Sequence, residues 1–414
     1  MTASARDYLV VTASYWGFTL VDGALRMVVL LHFFQLGYAP LTLSFLFLLY
    51  EFAGIVANLA GGWLAVRFGI PRMLMTGQAL QIAGLLLLSA LDPAWSAALS
   101  VAWVVVAQGI AGLAKDFTKT ASKSAIKATA GQGTGEGAGQ LFRWVAWFTG
   151  SKNAMKGLGF FAGGALLEAA GFRGALWLMS AAIAIVLVAG AALLPPQLGK
   201  AKASRSLREL FAKSRGINLL AAARIFLFGA RDVWFVVGLP VFLYAAGWRF
   251  AEVGSFLAAW TVAYGGLQAA APRLVPRSAD GLSREVPAAR LWAGLLLAVP
   301  LGLATLLPYT PPSTVDVVVV VGLSLFALPF AVNASLHSYL VLAYAGSEKA
   351  AEDVGFYYAA NALGRLLGIL LSGALYQSHG LSGCLLGASL LLATCWAFMF
   401  FLPNGKAEPS RALS

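Results

Sequence analysis

Two lysines, Lys152 and Lys156, interrupt an apolar stretch (Trp147–Gly164) of a length that suits a membrane-spanning helix. Four positions separate them, so on a helix they lie on one face. A lysine at the depth of the bilayer core costs about 2.5–3.5 kcal/mol, and the pair therefore needs a compensating environment. Carboxylates on neighbouring helices could neutralise the two charges, or the lysines could line a water-filled cavity that receives an anion. The second interpretation is favoured because other apolar segments also carry charge.

Those other segments contain arginines and carboxylates at helical spacing. Asp22 and Arg26 lie four residues apart and can pair on one helix face. Arg224 and Arg231 lie two helical turns apart and point the same way, with Phe228 between them. The candidate substrate-binding residues are Arg26, Lys152, Lys156, Arg224, Arg231 and Arg365, and the candidate proton carriers are Asp22, Glu51 and Asp232. Arginine forks and lysine point charges in surplus predict a small, multiply anionic organic substrate.

The composition is that of a membrane protein. The 414 residues are 60% hydrophobic and 11% charged, with a mean hydropathy of +0.79, whereas soluble domains average about 25% charged residues. The net charge of +12 does not indicate nucleic-acid binding, because the basic residues lie mostly in short loops between apolar segments. Cys384 and Cys395 share the last apolar segment and predict neither a disulfide framework nor a metal site. No catalytic constellation and no cofactor motif is found, so an enzyme is not expected.

Twelve spans are predicted, each about 20 residues or longer. They lie at about 8–36, 41–66, 72–91, 95–118, 140–167, 173–195, 217–246, 250–274, 287–308, 314–343, 352–377 and 380–402. The first is too long for a signal-peptide core and is expected to remain as a span. Lysine and arginine concentrate in alternate loops, which predicts that both termini lie in the cytoplasm.

An internal repeat divides the chain. The basic polar segment 196–216 is predicted to be a cytoplasmic linker between two six-helix bundles, 1–195 and 217–414. A shift of 210 positions superposes Phe18 on Phe228, Asp22 on Asp232, Gly37 on Gly247 and Arg67 on Arg277. Two parallel six-helix repeats resemble the all-α architecture of the major facilitator superfamily, with its substrate site at mid-membrane between the halves.

A loop motif points the same way. The segment 62–72, with Arg67 and Gly69, resembles the cytoplasmic signature of that superfamily, although Val66 stands where an acidic residue is usual.

Several other polar residues are expected to have no role in substrate binding. Lys115 and Arg143 fall near helix ends and are interpreted as snorkelling to the membrane surface. The four-residue spacing of Lys119, Lys123 and Lys127 is compatible with a cavity mouth, but we interpret them as ordinary cytoplasmic-side residues. The remaining positions are interpreted as structural: His32 and His337 as packed histidines, and Gly157, Gly159, Gly163 and Gly164 as sites of close helix packing.

Four longer stretches carry a more specific resemblance. The segments 15–38, 109–127, 149–161 and 217–240 resemble ArsJ, the organoarsenical efflux permease family of the major facilitator superfamily. The resemblance implies residence in the bacterial inner membrane and export of 1-arsono-3-phosphoglycerate. It also implies a functional partner, a glyceraldehyde-3-phosphate dehydrogenase that makes this adduct from arsenate. The adduct decomposes outside the cell, so the pair would confer arsenate resistance.

Three functional hypotheses follow. The first is a secondary transporter that exports the anionic arsenic adduct by alternating access. The second keeps the fold but makes the protein an organophosphate/phosphate antiporter, since any organophosphate needs the same positive cavity. The third is a transport-inactive sensor or a membrane-embedded enzyme, which the absence of a reactive constellation disfavours.

Overall fold

The structure, a computed structural model, describes residues 3–57, 69–130, 137–195, 214–275, 278, 280–344 and 350–404. Arg67 and most of the predicted linker lie outside these residues, as do the side chains of Lys123, Lys127 and Arg143.

The described chain consists of helices joined by short turns. We number the α-helices in chain order: α1 (Ala3–Gln35), α2 (Pro40–Leu46), α3 (Ile70–Ser89), α4 (Ala97–Ala130), α5 (Gly137–Leu193), α6 (Arg215–Phe235), α7 (Gly238–Ala245), α8 (Phe250–Ala270), α9 (Glu285–Leu306), α10 (Val315–Tyr344) and α11 (Ala350–Phe400). After one irregular residue at Phe47, α2 continues as a helix to Ala57. Short 3-10 turns, Ala271–Arg273 and Leu307–Tyr309, follow α8 and α9.

Within the described residues, the lengths of these helices are compatible with the twelve predicted crossings. Eight stretches are long and apolar enough to cross a bilayer, and two of them, Ser151–Leu193 and Gly355–Phe400, have 43 and 46 residues, about twice the required length. Each of these two breaks at a glycine with positive φ, Gly171 (66°) and Gly380 (61°), and so forms two antiparallel crossings. The joined pair α6 and α7 is one crossing, and α3 and α8 have the length to complete the set. The predicted all-α architecture is confirmed for the described residues.

Turn residues fix where the helices begin. Pro40 and Pro71 lie in the first turns of α2 and α3, where the missing N–H costs nothing. Ser214 caps α6, and its side chain accepts a hydrogen bond from the N–H of Ile217 at 3.4 Å. Gly37 (φ 85°) and Gly247 (φ 94°) reverse the chain before α2 and α8.

The positive-φ glycines reveal the repeat in the backbone itself. Three pairs lie 210, 212 and 209 positions apart: Gly37 with Gly247, Gly69 with Gly281, and Gly171 with Gly380. They occupy equivalent turns of the first and second six-helix sets. The proposed division at 195 and 217 remains a prediction, since it falls at the edges of the described residues.

Glycines also allow the helices to approach closely, as predicted for α5. A Cβ on Gly159 would meet the carbonyl oxygen of Leu20 on α1, and one on Gly163 would meet the carbonyl oxygen of Ala24. Gly164 lies in the same way against Phe250 at the start of α8. This contact joins the first half to the second, near the glycine turns at Gly171 and Gly247.

Candidate functional site

A cavity of about 460 Å³ lies between the two halves, and all nine candidate residues from the sequence line it. On α1 the lining side chains run from Tyr15 to Met27, which leaves eight residues, about 12 Å of helix, before Gln35. On α10 the lining residues Ser338 and Leu342 instead lie close to the other end of the bundle. The cavity therefore extends toward the side of the membrane on which the chain begins.

Aromatic side chains close the cavity at its far end. The rings of Phe160 and Phe235 lie 6.0 Å apart, and Trp260 lies 5.0 Å from Phe235. Trp260 also stacks on Tyr264 at 5.7 Å, with 13° between the ring planes. These rings come from α5, α6 and α8, so residues of both halves form this floor.

Arg365 lies at the centre of a buried ionic network. Its Nη2 donates to Glu51 Oε1 at 2.6 Å, and its Nε donates to Asp232 Oδ2 at 3.1 Å. Glu51 Oε1 also accepts from Arg26 Nη2 at 2.6 Å. The Glu51 side chain is 1% exposed and the Asp232 side chain is fully buried, so bulk water does not solvate either carboxylate. Each carboxylate is stabilised by two arginines, because Asp232 also accepts from Arg231 Nε at 2.6 Å.

The pair of Asp22 with Arg26, which the helical spacing permits, does not form. Arg26 turns to Glu51 on α2, and Asp22 Oδ1 instead accepts from the hydroxyl of Tyr50 at 2.5 Å. The four-residue spacing permitted the pair, but Glu51 offers Arg26 a carboxylate buried beside a second arginine. Among the described residues, Asp22 has a hydroxyl partner and no ion pair.

The predicted placement of Arg224 and Arg231 around Phe228 is confirmed. The two guanidinium carbons lie 3.8 and 5.2 Å from the centre of the Phe228 ring. Arg224 donates from Nε to Asn361 Oδ1 at 2.9 Å and from Nη1 to the carbonyl oxygen of Ala334 at 3.3 Å. These partners are neutral, so no described carboxylate compensates the charge of Arg224.

Lys152 and Lys156 both line the cavity and are half-buried. The ammonium nitrogen of Lys156 lies 5.5 Å from the centre of the Phe160 ring, and no described carboxylate forms an ion pair with it. The interpretation that neighbouring carboxylates neutralise the lysine pair is therefore not supported for Lys156.

The expectation that Lys115 and Lys119 lie outside the site is wrong. Lys115 lies over the ring of Tyr50 at 3.9 Å and reaches both Glu51 and Asp116 at 3.9 Å. Lys119 pairs with Asp116 at 3.3 Å, and all three α4 residues line the cavity. The four-residue spacing of Lys115 and Lys119 was a usable signal. The position of α4 against the cavity was not visible in the sequence.

Sequence reasoning also missed neutral polar residues of the site. These residues place hydrogen-bonding groups on the cavity wall beside the charged side chains. They are Tyr50, Asn153, Thr261, Gln268, Tyr358 and Asn361. Asn153 Nδ2 donates to Gln268 Oε1 at 3.4 Å and so links α5 to α8. Neutral residues of this kind occur throughout the chain and give no signal before the helices are packed.

His32 and His337 are packed, as expected, but neither ring nitrogen of His337 has a hydrogen-bond partner among the described residues. His32 stacks on Phe172 at 4.1 Å, and His337 is fully buried. Cys384 and Cys395 are buried and free. Among the residues that the structure describes, no cluster of histidine, cysteine and carboxylate side chains could hold a metal ion.

The cavity as a whole carries an excess of positive charge. Within the described chain, eight basic and four acidic side chains line it; the basic ones are Arg26, Lys115, Lys119, Lys152, Lys156, Arg224, Arg231 and Arg365. A polar ligand enclosed there would meet guanidinium and ammonium donors from both halves. Such a site is suited to a multiply charged anion.

Comparisons with known proteins agree with this architecture. None of the curated proteins matches the sequence. The crystal structure of a D-xylose-proton symporter is similar with a TM-score of 0.68 and 13% identity, covering 98% of this chain and all of that one. A crystal structure of the nucleoside transporter NupG has a TM-score of 0.71 and 15% identity, covering 96% of this chain and all of that one. At such identities the likeness shows the fold alone. Residues 8–351 match the model of the Major Facilitator Superfamily, so the chain belongs to this superfamily of multi-pass membrane transporters.

Proposed function

We propose that this protein is an exporter of a small, multiply anionic organic phosphate ester that works by alternating access. The observation that carries the proposal is the cavity between the halves, where basic side chains outnumber acidic ones by eight to four. Its volume of about 460 Å³ falls in the range of sites for small molecules. D-xylose and nucleosides, the cargoes of the two structurally similar transporters, do not need such a charge surplus.

The substrate we propose is 1-arsono-3-phosphoglycerate, on the strength of the resemblance to the ArsJ family. This molecule carries a phosphate and an arsenate ester. Arg224 offers an arginine fork held by neutral partners, and Lys156 offers a point charge without a carboxylate. The functional partner in this proposal is a glyceraldehyde-3-phosphate dehydrogenase that forms the adduct.

The membrane potential supports export. If the protein lies in a bacterial inner membrane with both termini in the cytoplasm, the cavity in this structure faces the cytoplasm and can load from there. A potential that is negative inside favours the exit of an anion by about 2.3 kcal/mol per charge per 100 mV. Export of such a substrate is then energetically favourable even without a coupled ion.

The test uses everted membrane vesicles that contain the protein. Arsenate, glyceraldehyde 3-phosphate, NAD and the dehydrogenase are supplied outside, and arsenic inside the vesicles is measured. We expect uptake that requires every component and is absent from vesicles without the transporter. Uptake of a simple phosphate ester in exchange for internal phosphate, with no arsenic uptake, would instead establish an organophosphate/phosphate antiporter. No uptake of either substrate would refute the proposed function.

A further inference from the structure

The two halves present equivalent residues to the cavity on α2 and α8. Both helices begin after the paired glycine turns, at Pro40 and Phe250, which lie 210 positions apart. The same offset matches Tyr50 with Trp260, two aromatic residues that line the cavity. It also matches the next residue, Glu51, with Thr261.

A second pair of equivalent positions lies on α5 and α11. The glycine breaks at Gly171 and Gly380 lie 209 positions apart, and this offset matches Lys156 with Arg365. The helix contacts follow the same symmetry, because Gly164 lies against the first residue of α8 and Gly373 lies against the first residue of α2. The α5–α8 crossing is thus the counterpart of the α11–α2 crossing.

The two crossings differ in charge. At the α11–α2 crossing, Arg365 donates to the carboxylate of Glu51 at 2.6 Å. At the α5–α8 crossing, the basic residue is Lys156 and the carboxylate is replaced by the hydroxyl of Thr261. Thr261 is 6% exposed, and its Oγ1 has no hydrogen-bond partner among the described residues. One crossing therefore contains its own anion, and the other contains a cation and an unsatisfied hydroxyl.

Neighbouring contacts bring Lys156 and Thr261 to the same crossing. A Cβ on Gly157, the residue after Lys156, would lie 2.8 Å from the carbonyl oxygen of Ala258 and 2.9 Å from a methyl group of Val262. Both Lys156 and Thr261 line the cavity. The two side chains therefore lie at the same crossing and on the wall of the same cavity.

We propose that Lys156 and Thr261 form an anion subsite that receives the phosphate or the arsenate group of the substrate, in the place that the Glu51 carboxylate occupies at the symmetry-related crossing. This inference rests on the proposed function and specifies where one anionic end of the substrate binds. The ammonium group supplies the charge, and the Thr261 hydroxyl donates to an anion oxygen. The rings of Phe160 and Trp260 beside the subsite limit water and strengthen both interactions.

The test measures equilibrium binding of radiolabelled 3-phosphoglycerate, a stable phosphate ester with a carboxylate, to the purified full-length protein in detergent. Thr261→Glu places a carboxylate beside Lys156 and is expected to weaken binding by about 100-fold, because like charges repel and the lysine becomes paired. Thr261→Gln, a neutral side chain of the same size, is expected to weaken binding by no more than about tenfold. Thr261→Val keeps the shape but removes the hydroxyl, and a loss of about tenfold is expected.

The double variant Glu51→Thr with Thr261→Glu moves the carboxylate from one crossing to the other. It removes one of the two carboxylates that Arg365 contacts, leaving Asp232, and is expected to restore binding to within about tenfold of the wild-type protein. Thermal unfolding without ligand identifies variants that fail to fold, and Thr261→Val then decides the result. Wild-type affinity in both Thr261→Glu and Thr261→Val would overturn the subsite and leave the proposed function intact. Failure of the wild-type protein to bind 3-phosphoglycerate, together with failure of arsenic uptake, would overturn both.

Discussion

Arg365 and Glu51 lie 314 positions apart in the sequence, yet Nη2 of Arg365 donates to Oε1 of Glu51 at 2.6 Å. This contact joins α11 of the second half to the α2 segment of the first half at the middle of the cavity. Arg26 donates to the same carboxylate oxygen, so Glu51 forms ion pairs with two arginines at once. Any movement of the two halves relative to one another changes this network.

Glu51→Gln is expected to destabilise the protein strongly. The substitution leaves Arg26 and Arg365 without the carboxylate that both of them contact, and breaking a buried pair costs about 3–5 kcal/mol. Thermal unfolding in detergent measures the effect. Glu252→Gln is the matched control, because Glu252 pairs with Arg249 at an exposed site, and its melting temperature should equal that of the wild type. Equal melting temperatures of all three proteins would show that the network does not stabilise the fold.

Of the three predicted proton carriers, Asp22 has the contacts that differ most from the other two. Glu51 and Asp232 are each held by two arginines, whereas Asp22 accepts a hydrogen bond from Tyr50 and has no ion pair among the described residues. Asp22→Asn retains an acceptor for the Tyr50 hydroxyl and should fold. If transport is coupled to protons, this variant should lose uptake driven by an imposed pH gradient at zero membrane potential. Gradient-driven uptake in Asp22→Asn equal to that of the wild type would exclude Asp22 as the proton carrier.

Lys156→Gln is expected to reduce transport by at least about 100-fold, because it removes a cavity cation that no described carboxylate compensates. Uptake into everted vesicles is measured at equal amounts of inserted protein. Arg249→Gln serves as the control, since Arg249 is 69% exposed and lies away from the cavity lining. Normal transport in Lys156→Gln would assign this lysine a structural role.

Gly164→Val is expected to impair the closure of the far side of the cavity. The added side chain would collide with the backbone at Phe250, where the two halves meet. Transport should fall by more than about tenfold, since overpacking costs about 1–3 kcal/mol or more. Gly266→Val on α8 is the matched control, because a Cβ at Gly266 meets nothing within 4 Å. Equal transport by the two variants would mean that this contact does not limit the cycle.

The sequence by itself determined the class of fold. Long apolar segments must form helices in a bilayer, because no water is available to bond the backbone groups, and the segments and the repeat follow from local composition. The nine charged candidates could also be identified in this way, since a charge in an apolar segment is costly wherever the helix packs. The close packing at Gly159, Gly163 and Gly164 was predicted for the same local reason.

The tertiary structure alone decided which charges pair. Helical spacing favoured Asp22 with Arg26, but the packing of α2 against α1 gave Arg26 the buried carboxylate of Glu51. Lys115 was expected at the membrane surface, and the packing of α4 brought it into the cavity. The partner of a buried charge depends on distances of a few ångströms between distant segments, because the Coulomb energy of a poorly solvated pair falls with separation. Sequence spacing describes distances within one helix, and only the packed helices set those between them.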